Sequence, residues 1–293
     1  MEKNRINIES TTIGADPEVF LYSKKENKHI SAVGLIGGTK ENPKPITSKG
    51  HFIQEDGIAA EYNIPPCDNA EDFVNNINFV KNYIEDTIAK PLGLILSKKA
   101  SAIFTNKDLD CKQAQEIGCT PDLDSWNLSM NSPSGYTSNL RACGGHVHVG
   151  YNDSNEETSI ELARAMDLFL GVGSVLLDKD TQRRSLYGKA GAMRFKSFGM
   201  EYRSLSNFWI FDEKLTKWVF ENTILAVNFV KINGIITNPQ EIQDCINNCD
   251  IELAKSILDD YNIPMPSMNS ELIEEEEVNY FDTLPLHGDV EAS

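Results

Sequence analysis

Four short, mostly apolar stretches carry two polar or ionisable side chains at alternating positions. They are Asp16 and Glu18 in GADPEVFL, Glu61 and Asn63 in EDGIAAEYNIPP, His146 and His148 in GGHVHVG, and Glu201 and Arg203 in FGMEYRSLSNFW. In a strand, residues i and i+2 project to one face. Each stretch therefore reads as a strand with one apolar and one charged face. A core-facing acid is expensive unless it is paired or holds a cation. Taken singly, each charged face can be solvated; taken together, the faces can share one site. The glycines around the histidines, Gly144, Gly145 and Gly150, leave backbone room for a ligand.

The rest of the chain mixes strands and helices without a strict alternation. Extended segments are expected over Ile13–Tyr22, Ile30–Ile36, Phe52–Ile64, Leu92–Phe104, Cys143–Tyr151 and Ser197–Leu205. Asp68 or Asn69 caps a helix carrying Phe73, Ile77, Val80 and Ile84 on one face. Ser154 with Glu157 forms a capping box for a second helix, and Asp212 caps a third that stops at Gly234. Shorter helices follow Pro239 and cover Ile251–Leu258, and residues 105–140 read as a long irregular loop. This order favours an α+β class with a mainly antiparallel sheet. Neither GxGxxG nor GxxxxGKS occurs.

Charge separates the chain further. The 293 residues hold 44 acids against 27 Lys and Arg, a net charge of −17, which argues against nucleic-acid polymers and anionic membranes as partners. Eight acids and no Lys or Arg lie between Glu271 and Ser293, so 266–293 reads as an acidic, disordered tail after a domain spanning 1–265. Between Arg183 and Arg203 the balance reverses to +5, from Arg183, Arg184, Lys189, Arg194, Lys196 and Arg203 against Glu201. An arginine cluster in an acidic chain is a candidate anion site. The six cysteines form no CxxC pair, and the N-terminus has no apolar signal core, so reduced thiols in a cytoplasmic setting are expected.

If the strands lie side by side, Asp16, Glu18, Glu61 and Glu201 converge with His146. Four close carboxylates repel, and one or more would protonate near neutral pH unless a divalent cation intervened. Oxygen-rich ligation with one imidazole suits Mg²⁺ or Mn²⁺. A neighbouring arginine cluster is equipment for phosphoryl transfer. Asp56 is a further acidic candidate whose five-residue offset from Glu61 leaves its face open, while Lys40 and Lys44 in GGTKENPKP either reach a phosphate or are simply exposed loop lysines.

GADPEVFLY resembles the first strand of the glutamine synthetase-like fold, and DGIAAEYNIPPC resembles the second acidic strand of its glutamate–cysteine ligase branch. GGHVHVG and RRSLYGKAGAMRFKSFGMEYRSLSNFW are similar to that superfamily's H-x-H strand and its Arg-rich segment with an E-x-R strand. The whole pattern, over Ile13–Trp209, resembles the phage-encoded COOH–NH2 ligases of type 2. The resemblance implies a concave, mainly antiparallel sheet with the active site on one face and helices on the other. It implies ATP-dependent ligation: Mg·ATP phosphorylates a carboxylate, and an amine attacks the acyl phosphate. Asp16, Glu18, Glu61, His146 and Glu201 would hold Mg²⁺ or Mn²⁺. His148 and Arg203 would lie at the phosphate, and Arg183, Arg184 and Arg194, with Lys189, would bind phosphate or substrate carboxylate. Glu201, Arg203, His148 and Arg184 would carry catalysis. Substrates would be small-molecule or peptide carboxylates and amines, in a host cytoplasm. The chain departs from the better-known enzymes in having Asp16 where Glu is common, and in lacking a separate N-terminal domain. Two other readings are a guanidino-type phosphotransferase on this scaffold and a non-catalytic binding protein.

Overall fold

Short strands with one apolar and one polar face need partners on both sides, and the chain supplies them by pairing strands far apart in sequence. The computed structural model describes Ile8 and residues 10–115, 122–131 and 139–267. In chain order the strands are β1 (Thr12–Ala15), β2 (Glu18–Val19), β3 (Leu21–Ser23), β4 (Lys28–Ile30), β5 (Lys44–Pro45), β6 (Phe52–Asp56), β7 (Ala59–Asn63), β8 (Ile95–Leu96), β9 (Ser101–Ile103), β10 (Leu123–Asp124), β11 (Ser129–Met130), β12 (Leu140–Ala142), β13 (Val147–Gly150), β14 (Ala192–Lys196) and β15 (Gly199–Tyr202). The helices are α1 (Ala70–Ile84), α2 (Lys112–Gln115), α3 (Glu156–Met166), α4 (Val172–Leu177), α5 (Gln182–Leu186), α6 (Glu213–Lys231), α7 (Pro239–Asn248) and α8 (Ile251–Asp260).

The class is α+β. A six-stranded sheet runs β1-β13-β15-β14-β10-β11 and a four-stranded sheet runs β2-β7-β6-β5. Smaller sheets are β4-β3-β8 and β12-β9. Each pairing in the six- and four-stranded sheets is antiparallel. On the six-stranded sheet, Ala15, Val147, Tyr202 and Met193 stand opposite one another in one buried row, with Ile13, Val149 and Met200 in the next. Helix α3 covers this side and packs in turn on α6, as does α1. The polar residues of the same strands are left for the other face.

Several expected boundaries shift, each for a local reason. Ile13–Tyr22 is three strands, because Pro17 has no N–H to continue a ladder and the chain passes there from the six- to the four-stranded sheet. Ile30–Ile36 is extended only to Ile30, and the chain then turns, with Leu35 N donating to the Ala32 carbonyl. Phe52–Ile64 is a hairpin, β6 and β7, turning at Gly57 with φ +56°. Leu92–Phe104 holds only the short β8 and β9. The described parts of 105–140 hold α2, β10 and β11 as well as loop.

Helix ends follow side-chain capping. Of the two candidates Asp68 and Asn69, Asn69 is the cap and accepts from Asp72 N, while Asp212 accepts from Lys214 N and Leu215 N as its position predicts. For α3 the cap is Asn155, which accepts from Thr158 N, while Ser154 donates instead to the Ser197 carbonyl. At the end of α6, Asn233 takes the left-handed conformation at φ 55°, and Gly234 N closes on the Phe229 carbonyl. A π-helical turn, Asp167–Gly171, joins α3 to α4. A second apolar cluster, including Leu168, Val172, Ile246, Ile257 and Leu258, seats α7 and α8 against α4. No helix among the described residues is long and apolar enough to cross a membrane. The segment 268–293, which holds the acidic run, lies outside the described residues.

Candidate active site

The antiparallel register assembles the polar face. Gly14, His148, Glu201 and Arg194 stand directly opposite one another across β1, β13, β15 and β14. One step along, Asp16 N donates to the His146 carbonyl and Arg203 N to the Ala192 carbonyl, so Asp16, His146 and Arg203 form the next row. Two i, i+2 pairs on neighbouring strands thus become one cluster. His146 Nδ1 lies 3.3 Å from Asp16 Oδ1 and 3.7 Å from Glu201 Oε1. His148 Nε2 lies 3.1 Å from Asp16 Oδ1 and 3.9 Å from Glu201 Oε2. Arg203 Nη1 donates to Glu201 Oε1, and Lys196 Nζ lies 2.5 Å from Glu201 Oε2.

The glycines before His146 are needed by the fold itself. A Cβ on Gly144 would lie 2.1 Å from His146 Nε2, and one on Gly145 would lie 2.2 Å from the Ser206 carbonyl oxygen. The room expected for a ligand is filled by the imidazole and by backbone.

Cations dominate this first cluster. Burial and Asp16 oppose ionisation of Glu201, but Arg203, His146 and Lys196 outweigh them and hold its carboxyl at about 2. Burial likewise opposes ionisation of Asp16, yet His148 and the hydrogen bonds from both histidines keep it well below the usual range. Burial disfavours the His148 imidazolium, but Asp16 lifts its pKa. Burial and Arg203 push His146 down.

The second cluster has the opposite character. Glu18 on β2 stands opposite Glu61 on β7, which stands opposite Gln54 on β6. Asp56 lies two residues beyond Gln54 and so shares its face; the hairpin settles the orientation that the linear offset from Glu61 left open. Glu18 Oε2 accepts from Gly144 N at 2.8 Å. Burial, then Asp56, pushes Glu18 up to about 7. Burial, then the charges of Asp16, Asp56 and Glu18, pushes Glu61 well above the usual range. Lys40 Nζ sits 2.7 Å from Asp56 Oδ1. The five expected ligands are thus split, Asp16, His146 and Glu201 in one group and Glu18 and Glu61, with Asp56, in the other; the three donors of each group lie within 4.8 Å of one another.

These donors fit divalent cations. Asp16 Oδ1, Asp56 Oδ1, Glu201 Oε2 and His148 Nε2 are buried without a well-aligned hydrogen bond, although each lies near an opposite charge. Carboxylate oxygens with one imidazole are the ligand set of Mg²⁺ or Mn²⁺.

The arginine-rich segment divides. Arg194 Nη1 comes within 3.8 Å of Glu201 Oε1. Arg183 is buried and donates to the Ser204 and Arg203 carbonyls, where its charge still reaches Glu18. Arg184 donates to Ser174 Oγ at 2.6 Å and to Cys249 Sγ, which turns its guanidinium toward α4 and away from the acidic clusters. That placement differs from the expected position at the anion site, since consecutive residues of a helix point about 100° apart and Arg183 takes the direction toward Ser204. Lys189 is exposed, and its carbonyl accepts from Ser204 Oγ. Asn63 is half-buried at the end of β7, and Lys44 is exposed on β5.

Three side chains beyond the motif pairs complete the surroundings. Asp122 accepts from Arg203 Nε at 3.2 Å and anchors the guanidinium from its far side. Lys196 contacts Glu201 because β14 pairs with β15, a pairing that no local pattern announces. Asp167, fully buried at the π-helical turn, accepts from Trp126 Nε1 at 2.6 Å, Gly191 N at 2.5 Å, Tyr202 Oη at 2.7 Å and Ser204 Oγ at 3.3 Å. It thereby holds both neighbours of Arg203. Burial pushes Asp167 up to about 7 against these four donors. Asp167→Ala leaves several buried donors unpaired and is expected to cost about 3 kcal/mol in urea unfolding. A change under about half a kcal/mol would contradict that role.

Residues 127–271 match the model of a family described as phage phiEco32-like COOH.NH2 ligase-type 2. No curated protein matches the sequence. Among solved structures, the chain is similar to a bifunctional glutathione synthetase from Pasteurella multocida, at 10% identity and a TM-score of 0.41. That match covers 86% of this chain and 49% of the other, so the chain spans about half that protein's length.

Proposed function

We propose that this chain, whose residues 127–271 match the model of the phage phiEco32-like COOH.NH2 ligase-type 2 family, is an ATP-dependent carboxylate–amine ligase. The observation that carries the reading is the pair of adjoining acidic clusters, one ringed by cations and one not, on the strands that bear the family-like motifs. Within this reading the six- and four-stranded sheets belong to a glutamine synthetase-like catalytic fold, supported by the order of the motifs along the chain. Residues 1–265 form the ligase domain and 266–293 its acidic tail.

Asp16, His146 and Glu201 would hold one divalent cation, and Glu18, Asp56 and Glu61 a second. Such cations would neutralise the carboxylates and supply positive charge for phosphoryl transfer. Arg203, Arg194 and Lys196 present cationic groups beside the first cluster, where charge on a transferred phosphoryl group would need stabilising. Asp122 keeps the Arg203 guanidinium oriented. In the first step a substrate carboxylate oxygen attacks the γ-phosphorus of ATP, giving an acyl phosphate and ADP. In the second an amine attacks the acyl carbon, phosphate leaves, and the amine proton passes to solvent.

The test is ADP release with Mg²⁺ over a panel of carboxylate and amine pairs, with product masses measured. Amide product with one ADP and one phosphate per bond is expected, and chelation should abolish it. Nucleotide binding without turnover across cell-wall peptides, amino acids and polyamines would contradict the reading. A phosphorylated guanidino product would convert it to a phosphotransferase.

A further inference from the structure

The two clusters differ in their cations, and the difference traces to one lysine. The cluster of Asp16, His146 and Glu201 is neutralised by side chains of its own sheet. The cluster of Glu18, Asp56 and Glu61 instead receives Lys40, which reaches in from the loop between β4 and β5. The facing carboxylate oxygens of Glu18, Asp56 and Glu61 lie within 4.8 Å of one another, and Lys40 Nζ is 2.7 Å from an Asp56 oxygen. The ammonium thus lies in the field of all three carboxylates that would hold a divalent cation.

The loop carrying Lys40 is gripped from behind. Glu55, the neighbour of Asp56 on β6, points to the opposite face and accepts from Gly34 N at 2.9 Å and from Ile36 N and Gly37 N at 3.3 Å. Gln113 Nε2 donates to its other oxygen at 2.8 Å, and Glu55 N donates to the Gly38 carbonyl. Gly38 has no room for a side chain: a Cβ would lie 2.5 Å from the Ile53 carbonyl oxygen. Adjacent residues of one strand therefore do two tasks: Glu55 fixes the base of the loop and Asp56 receives its lysine. The Lys40 side chain is 43% exposed, so its stem can swing while its backbone stays held.

We propose that Lys40 is a resident counter-ion of the second acidic cluster, that an entering divalent cation displaces its ammonium, and that the freed ammonium then contacts the phosphate of the bound nucleotide. One positive charge and the incoming ion compete for the same oxygens. An ammonium on a flexible four-carbon stem can leave those oxygens for another anion without moving the backbone. The inference rests on the ligase reading above and adds a residue and an order of events to it.

Competition predicts opposite signs for two affinities of one variant. In calorimetric titration of the full chain with Mn²⁺ alone, Lys40→Met should bind about tenfold tighter than wild type, since a charge that repels the ion is gone. With Mn²⁺ saturating, the same variant should bind the ATP analogue AMP-PNP about tenfold more weakly, because a charged phosphate contact is lost. Lys40→Arg keeps the charge and should hold both affinities within about threefold of wild type. Unchanged or weaker Mn²⁺ binding by Lys40→Met, or unchanged AMP-PNP binding, overturns the proposal and leaves the ligase reading intact. Failure of the wild type to bind either probe overturns both.

Discussion

Glu61→Gln should raise the melting temperature of the metal-free protein while removing its activity. In the chelated protein at about pH 8, Glu61 is a buried carboxyl facing Glu18 and Asp56, and each neighbour disfavours its charge. A neutral amide of the same shape relieves that repulsion and still meets Gln54. The expected gain is about 1–2 kcal/mol, or about 3–6 °C in a chain of this size. Its pH dependence follows from the direction of the shifts. Glu18 rises from 4.5 to about 7 and Glu61 rises also. Between those limits the folded state binds more protons than the unfolded chain. The stability that Glu18 contributes is complete at low pH and is lost as pH climbs through about 7, and the raised Glu61 acts in the same direction. The gain from Glu61→Gln should therefore shrink as pH falls, because protonation of the wild-type carboxyl removes the same charge. Saturating Mg²⁺ should reverse the ranking at about pH 8, because the ion stabilises the wild type and the variant has lost a ligand. Turnover should fall by at least about a hundredfold. Thermal melts at two pH values, with and without chelator, check all of this. A variant that melts below wild type at pH 8 without metal would refute the assignment of Glu61 to a repulsive cluster.

Glu201→Gln should have the opposite effect on the metal-free fold. Glu201 is 1% exposed and is the anion shared by Arg203, Lys196 and Arg194. Removing its charge leaves buried cations facing one another, a loss of about 3–5 kcal/mol and a fall in melting temperature of about 10 °C. Here the sign runs the other way with pH. The folded pKa is depressed to about 2, so the contribution of Glu201 is present above the ordinary carboxylate range and fades only as pH falls toward 2. The penalty should thus persist from about pH 5 to 8. Turnover should drop about a thousandfold, since both a cation ligand and the partner of Arg203 are lost. The pair of variants separates the clusters: one carboxylate destabilises the empty protein and the other holds it together. Equal melting temperatures for both would contradict the division.

Much of this site is legible in the linear order of residues, because alternation is a local property. His146 with His148 and Glu201 with Arg203 share a face simply by being two apart on strands, and their burial follows from the apolar residues between them. Asp16 with Glu18 obeys the same pattern, yet the two acids serve different clusters, since Pro17 breaks the strand between sheets. Asp56 needed the hairpin at Gly57 to be oriented. Arg184 shows the limit from the other direction: charge composition placed it with the anion site, and its hydrogen bonds place it beside Ser174 and Cys249. Asp122 and Asp167 carry no local signature. Their roles arise from partners 81 and 35 residues away, at Arg203 and Tyr202.

The sequence by itself determined the α+β class, the helix start at Asp212, a second start at either Asp68 or Asn69, and the identity of the strands that carry the paired polar residues. Each depends on spacing within a few residues, where backbone geometry is nearly fixed. Only the tertiary structure decided that the acids form two groups rather than one, that cations ring the first, and that Lys40 answers the second. Those are matters of strand register and long-range pairing. Coulomb energy depends on distance through space, and distance along the chain does not supply it.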